Sequence, residues 1–305
     1  MVPVITFAQI NDVLRGSVDM HVHFGPDPIV PRRVDATSAA IDAQQAGLGA
    51  IVLKSHSYPT APLAHMAQLA APNVRVIGSV CLDEDVGGLN VHAIQTSAQL
   101  GAKVVWLPTF TAKNSMLKVA RRQGRHVEGE GIWLLDEDGH LVPDAIKVIA
   151  AVKKYDMVLA TGHVSPTEIF AVVEECNRIG LDKIVITHAL EQSACEEVLT
   201  VDQTVALAKR GAFIEHCMLS CCPVHNANKF MLNPDVIVEA IRATGPEKCV
   251  LGTDLGVAWN PPPAEGMRMF VSMLLRHGIR EEDVRQMATT NSRWLLGLDD
   301  QSQDN

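Results

Sequence analysis

The stretch Val18-Asp19-Met20-His21-Val22-His23 decides how this chain is read. It is a short, strand-sized run that ends on two histidines two positions apart. Alternate residues of a strand face the same side, so His21 and His23 share a face. Imidazole is the common ligand for zinc and similar divalent ions. One such pair is weak evidence, because chance and core packing produce many. Its weight depends on what recurs along the rest of the chain.

The same unit does recur. Short β-branched runs at 50–56, 74–81, 103–108, 157–163, 183–188, 212–217 and 249–254 join the first at 18–23. Amphipathic helical stretches follow at about 34–47, 60–71, 90–100, 143–154, 166–179, 201–210, 234–243 and 264–277. Ser165-Pro166-Thr167-Glu168 reads as an N-cap, a first-turn proline and a capping-box acid. Strands alternating with helices imply a parallel sheet. Eight such units with short, continuous apolar strands predict an α/β fold, a (β/α)8 TIM barrel. We expect a single domain over residues 1–305, with its core at about 17–298.

One segment breaks the rhythm. Residues 111–142, between the fourth and fifth strands, carry a basic stretch (Lys118, Arg121, Arg122, Arg125, His126) and an Asp138-Gly139 hairpin signal. The segment reads as an insertion above the barrel, either a lid or a decorative hairpin. Glu281 to Gln286 reads as a further helix, and 299–305 as a polar, frayed tail.

Composition narrows the function classes. With 47% hydrophobic and 20% charged residues over 305 positions, the chain is globular. A net charge of −9 argues against nucleic-acid and anionic-membrane partners, which need a basic footprint. The first sixteen residues lack the basic and long apolar regions of a signal peptide, and no apolar run is long enough to span a bilayer. Seven scattered cysteines without paired spacing fit free thiols in a reducing compartment, so a cytoplasmic location is expected. The expected partner is a small molecule, and a homo-oligomer remains open.

A barrel enzyme places its chemistry at the C-terminal ends of its strands. His163 ends the fifth strand, His188 the sixth and Asp254 the eighth. Taken singly, each reads as an interior histidine or a loop-capping aspartate. Five such residues on four strands, with His21 and His23, are hard to explain by packing. Buried polar groups are costly unless something binds them.

This set resembles the amidohydrolase superfamily, whose members carry H-x-H on the first strand, histidines on the fifth and sixth, and an aspartate on the eighth. The ending Thr289-Thr290-Asn291 to Leu298 is similar to that superfamily's C-terminal helix, and the opening Asp19 to Asp27 to an uncharacterised branch of it. The resemblance implies that His21 and His23 bind a more buried metal. It implies that His163 and His188 bind a second metal, or divide between metal and substrate. It makes Asp254 both a metal ligand and the general base that takes the proton from the attacking water. Zinc is the favoured ion, in one or two copies, though manganese, iron and nickel accept the same donors.

The chain departs from the binuclear pattern on the fourth strand. Many relatives place a carboxylated lysine or a glutamate at its end, but here Lys103 stands at its beginning. Lys54 and His56 share a face at the end of the second strand. Lys54 has three readings: an anchor for an anionic substrate, which we favour, a carboxylated metal bridge, or a lysine paired with a carboxylate. His56 is an extra ligand or a substrate contact. Trp106, His216 and Arg32 complete the expected substrate contacts, with Arg33, Cys221, Cys222 and His225 nearby in sequence. Trp259 to Pro263 forms a stiff loop after Asp254.

The expected function is hydrolysis of an amide, cyclic amide, lactone or ester bond in a small molecule. The alternative is a decarboxylase or hydratase with one metal. A non-catalytic metal-binding barrel is the third reading, and Asp254 beside the histidines counts against it.

Overall fold

Short parallel strands, buried throughout except at Arg75 and Val76, alternate with helices along the chain. In the computed structural model, residues 4–223 and 231–298 are described. The strands are Val18–His23 (β1), Ala50–Lys54 (β2), Arg75–Ile77 (β3), Ser79–Cys81 (β4), Val104–Trp106 (β5), Val158–Ala160 (β6), Ile184–Ile186 (β7), Phe213–Cys217 (β8) and Cys249–Gly252 (β9). They pair in sequence order, every pair parallel, as β1-β2-β3 and β4 through β9. Such an order requires a crossover between each pair, which the helices supply.

The expected third strand is divided into β3 and β4 at Gly78. A Cβ there would lie 2.5 Å from Ala61 Cα, so only glycine allows the helix start to press on the strand. The Gly78 carbonyl still accepts from Lys103 N, which carries pairing across the division. At the other end, Asp254 N donates to His21 O at 2.8 Å and His23 N to Leu255 O at 2.9 Å, and Val22 bridges Leu255 in parallel. Buried Asp19 clasps the same junction, accepting from Thr253 N at 2.8 Å and Thr253 Oγ1 at 2.7 Å.

Two apolar layers follow from strand alternation. Val18, Met20, Val52, Trp106, Val158 and Phe213 belong to the inner one, with Leu295 and Leu296 packed in the same cluster. The outer one fills the space between strands and helices, with Val22, Leu53, Val105 and Ile214 among its strand residues.

The helices lie close to their expected places: Ala36–Ala46 (α2), Ala61–Ala70 (α3), Val91–Gln99 (α4), Pro143–Lys154 (α6), Pro166–Ile179 (α7), Val201–Lys209 (α8), Pro234–Thr244 (α9), Pro263–Arg276 (α10) and Glu281–Arg285 (α11). Ser165 and Glu168 form the reciprocal capping box at the start of α7. Ser292–Leu296 (α12) ends the described chain. Two helices went unread in the sequence: Phe7–Leu14 (α1) and Met116–Gln123 (α5). The second lies in the 111–142 insertion, where the basic stretch masked a helical face burying Met116, Val119 and Ala120. The Asp138-Gly139 turn is present, with Leu135 bridging Leu141 antiparallel. His225 and the 299–305 tail lie outside the described residues.

Candidate metal centre

The site begins with an irregularity in β1. Between Asp19 and Val22 the strand advances three residues while β2 advances two, from Ile51 to Leu53. Strict alternation from inward Val18 and Met20 would turn His21 outward. The extra residue resets the phase, and the His21 ring comes to lie 4.6 Å from the inward Trp106 ring. A β-bulge re-aims a side chain in this way and is common beside active sites.

His21 Nε2 and His23 Nε2 each lie 3.1 Å from one oxygen, Asp254 Oδ1. The three residues are buried, and their ligand atoms fall within 4.8 Å of one another. His21 Nε2 nevertheless has no hydrogen-bond partner. Its other nitrogen, Nδ1, lies 3.3 Å from Glu215 Oε2. A carboxylate on Nδ1 fixes the proton there and leaves the Nε2 lone pair bare, which is how proteins orient metal-binding histidines. Bare nitrogens and a carboxylate oxygen converging in a buried space have the make-up of a divalent-metal site. Asp254 and His188 both hold left-handed backbone, with φ of 54° and 25°. Non-glycine residues adopt this at a cost of about 1–3 kcal/mol, and such strain collects at functional sites.

His163 and His188 face each other across the same space, with ring centroids 4.9 Å apart. Two hydroxyls set ring orientation here. Ser115 Oγ donates to Ala194 O at 2.8 Å, so it can only accept from His163 Nδ1, 3.0 Å away. Thr109 donates its hydroxyl to Asp83 and so accepts from His56 Nδ1 at 2.7 Å. Each imidazole thus carries its proton on Nδ1 and a lone pair on Nε2. The His56 ring is further held flat on Phe110, 3.6 Å between centroids. Burial holds His21, His23, His56 and His163 well below the ordinary imidazole range, with Lys54 adding to the effect, so all four are neutral at pH 7.

A cavity of about 50 Å³ opens above these groups. His23, Lys54, His56, His163, His188 and Asp254 contribute to its lining, with Trp259 and Asn260 from the proline-rich loop. Lys54 is 1% exposed; its Nζ has no hydrogen-bond partner and stands 4.6 Å over the Trp106 ring. No carboxylate pairs with it among the described residues. Trp106 is therefore the floor under Lys54 and His21. Arg32 lines the cavity, but its Nε and Nη2 both donate to Asp27 Oδ2, at 2.9 and 2.7 Å. Arg33 instead clips the loop after β9 by donating to Ala258 O.

His216 is not brought to the cavity. Inward Phe213 and Glu215 take one face of β8, which leaves His216 on the outer face with Ile214. Several groups around the cavity were given no role of their own by the sequence reading. Glu215 was legible in principle, being two residues from Phe213 on the inward face. Arg122 was read only as one member of the basic stretch in the insertion, while Ser115 from the same insertion and Glu191 after β7 carry no local signal that would have singled them out.

The model of a family of unknown function, DUF6282, matches residues 16–215. The chain belongs to that family. In this DUF6282 protein the matched region holds His21, His23, His163, His188 and Glu215, while Asp254 lies beyond it. No curated protein matches the sequence. Among solved structures, an amidohydrolase of Pseudomonas aeruginosa superposes with a TM-score of 0.59 at 13% identity, over 95% of this chain and 99% of the other. A protein of Acinetobacter baumannii described as a probable 2-pyrone-4,6-dicarboxylic acid hydrolase does so at 0.59 and 12%, over 92% and 99%. The 2,6-dihydroxybenzoate decarboxylase of Rhizobium gives 0.54 and 15%, over 93% and 99%. The DUF6282 protein thus shares the fold of amidohydrolase-superfamily enzymes.

Proposed function

We propose that this DUF6282 protein is a metal-dependent hydrolase of a small molecule, acting on an amide, cyclic amide, lactone or ester bond. The observation that carries the reading is the convergence of His21 Nε2 and His23 Nε2 on Asp254 Oδ1, each at 3.1 Å, in a buried cavity. His21, His23 and Asp254 would hold the ion, with His163 and His188 as further ligands or substrate contacts. A divalent ion, zinc in this proposal, supplies Lewis acidity and lowers the pKa of water at the site. Asp254 accepts the proton from the attacking water and returns it to the leaving group. Glu215 keeps the His21 lone pair aimed inward, and the hydroxyls of Ser115 and Thr109 do the same for His163 and His56. We read the nine strands among the described residues, with β3 and β4 as two halves of one, as a closed (β/α)8 TIM barrel around the inner layer. Seven unpaired thiols support a cytoplasmic home, and no helix among the described residues is long and apolar enough to cross a membrane.

A mononuclear decarboxylase or hydratase is the second reading. It is favoured by β5, which ends in Trp106 where a bridging carboxylate or lysine would stand in a binuclear site. Metal content per chain, measured alongside a screen of small amides, lactones, esters and carboxylic acids, separates the two. Zinc-dependent hydrolysis supports the first reading; carbon dioxide release, or addition of water to an unsaturated acid, without hydrolysis replaces it with the second. No metal retained after purification and reloading would sink both.

A further inference from the structure

We propose that the inner cavity takes its ligand by a carboxylate gripped between Lys54 Nζ and the guanidinium of Arg122, so that carboxylic acid derivatives are the substrate class. As a statement about substrate this rests on the hydrolase reading; as a statement about binding it stands on its own.

Three cations line the cavity: Arg32, Lys54 and Arg122. Arg32 is committed to Asp27 through two donors. The other two are not so committed. Lys54 Nζ is buried with no acceptor and stands over the face of Trp106 in a cation–π contact. Arg122 reaches in from α5, where Nη1 donates to Ser193 O at 2.7 Å, but its buried Nε has no acceptor. A buried ammonium or guanidinium donor without an acceptor is costly, and two of them on one small cavity call for a shared anion. Both line the same cavity as His163, His188 and Asp254.

Size and donor count select the anion. About 50 Å³ is room for a few water-sized groups. A carboxylate has two oxygens for two donors. A phosphate would present three, and the third cation is already held by Asp27. Glu191 is the internal competitor: its Oε1 accepts from Ser193 N at 2.7 Å while Oε2 has no partner, and it is the first acid acting on Arg122. If Arg122 serves only to balance Glu191, its loss will leave carboxylate binding untouched.

Isothermal titration of the zinc-loaded full chain tests this, with acetate, malonate, succinate, glutarate and benzoate as probes, acetamide, succinamide and benzamide as neutral counterparts, and inorganic phosphate. At least one carboxylate should bind one per chain, ten-fold or more tighter than its amide. Lys54→Met and Arg122→Met should each weaken it ten-fold or more while leaving metal content unchanged. Arg122→Lys, which keeps charge without the fork, should fall between. Should Arg122→Met fail to fold, Lys54→Met and Arg122→Lys still decide. The proposal is overturned if no carboxylate binds, if the amides or phosphate bind as tightly, or if the variants bind like wild type, which would place the probe on the metal alone. Loss of metal in Lys54→Met also overturns it, in favour of a bridging lysine. Carboxylate binding that behaves as expected, with no ester or amide hydrolysed, would remove the hydrolase reading and leave this inference standing.

Discussion

Ser115 Oγ lies 3.0 Å from His163 Nδ1 and gives its own proton to Ala194 O. The residue belongs to the 111–142 insertion, yet it sets the tautomer of a histidine in the turn after β6. The insertion is therefore part of the site and not an ornament above it, and Arg122 on the same segment lines the cavity. Ser115→Ala should leave His163 free to turn or to protonate the wrong nitrogen. We expect metal affinity or turnover to fall ~10–100-fold, the usual worth of an outer hydrogen bond to a ligating histidine. Ser115→Thr should restore most of it. Competition with a chelator measures the affinity, and an alanine variant equal to wild type in both readouts would show that the hydroxyl orients nothing.

Asp254→Asn keeps size and one oxygen donor but removes the proton acceptor. Turnover on any substrate found should drop ~10²–10⁴-fold with metal largely retained. Activity within a few-fold of wild type would reduce Asp254 to a loop cap.

His21→Ala should abolish tight metal binding without unfolding the chain. The ring sits above the packed inner layer, against Trp106 and Asp254. Elemental analysis of the dialysed variant beside its circular dichroism spectrum checks both halves. Full metal occupancy would mean that the ligands lie elsewhere.

Gly256→Ala should be strongly destabilising. Its φ is +136°, and an added Cβ would fall 1.9 Å from the carbonyl oxygen of His23. Backbone cannot yield as a side-chain tip can, so strain and overpacking together cost about 2–5 kcal/mol. A urea midpoint within error of wild type would contradict the close approach of this loop to β1.

His216 offers a pH test away from the cavity. Burial pushes its pKa down from 6.5 to about 4. A histidine whose folded pKa is depressed contributes stability that is fully present above the unfolded value and is lost as pH falls toward the folded one. The loss should run from about pH 6.5 down to pH 4 and reach at most about 3 kcal/mol. His216→Leu should therefore flatten the acid limb relative to wild type. Urea unfolding at pH 7, 5.5 and 4.5, in chelator, reads the difference, and parallel acid limbs would discount it.

Local pattern determined much of this protein. The β-branched runs, the amphipathic stretches and the helix cap at Ser165 are short-range signals, so the strand and helix order could be read without any partner in view. The rule that barrel chemistry sits at strand ends then singled out His21, His23, His163, His188 and Asp254, along with Lys54 and His56. Alternation even implied that His216 faces away from Glu215, though a histidine beside a strand end drew the expectation of a contact.

What tertiary structure decided lies in pairs far apart in the chain. The bulge that turns His21 inward shows only in the register of β1 against β2, because an extra residue has no signature until a partner strand counts past it. Ser115 meets His163, Glu215 meets His21 and Asp83 meets Thr109 across separations of 48, 194 and 26 residues. Hydroxyls, carboxylates and a basic helix face are ordinary on a surface, and only burial against a particular ring converts them into groups that set a tautomer or await an anion. A sequence carries propensity and period within a few turns; the phase of a strand and the partner of a buried donor are properties of the packed whole.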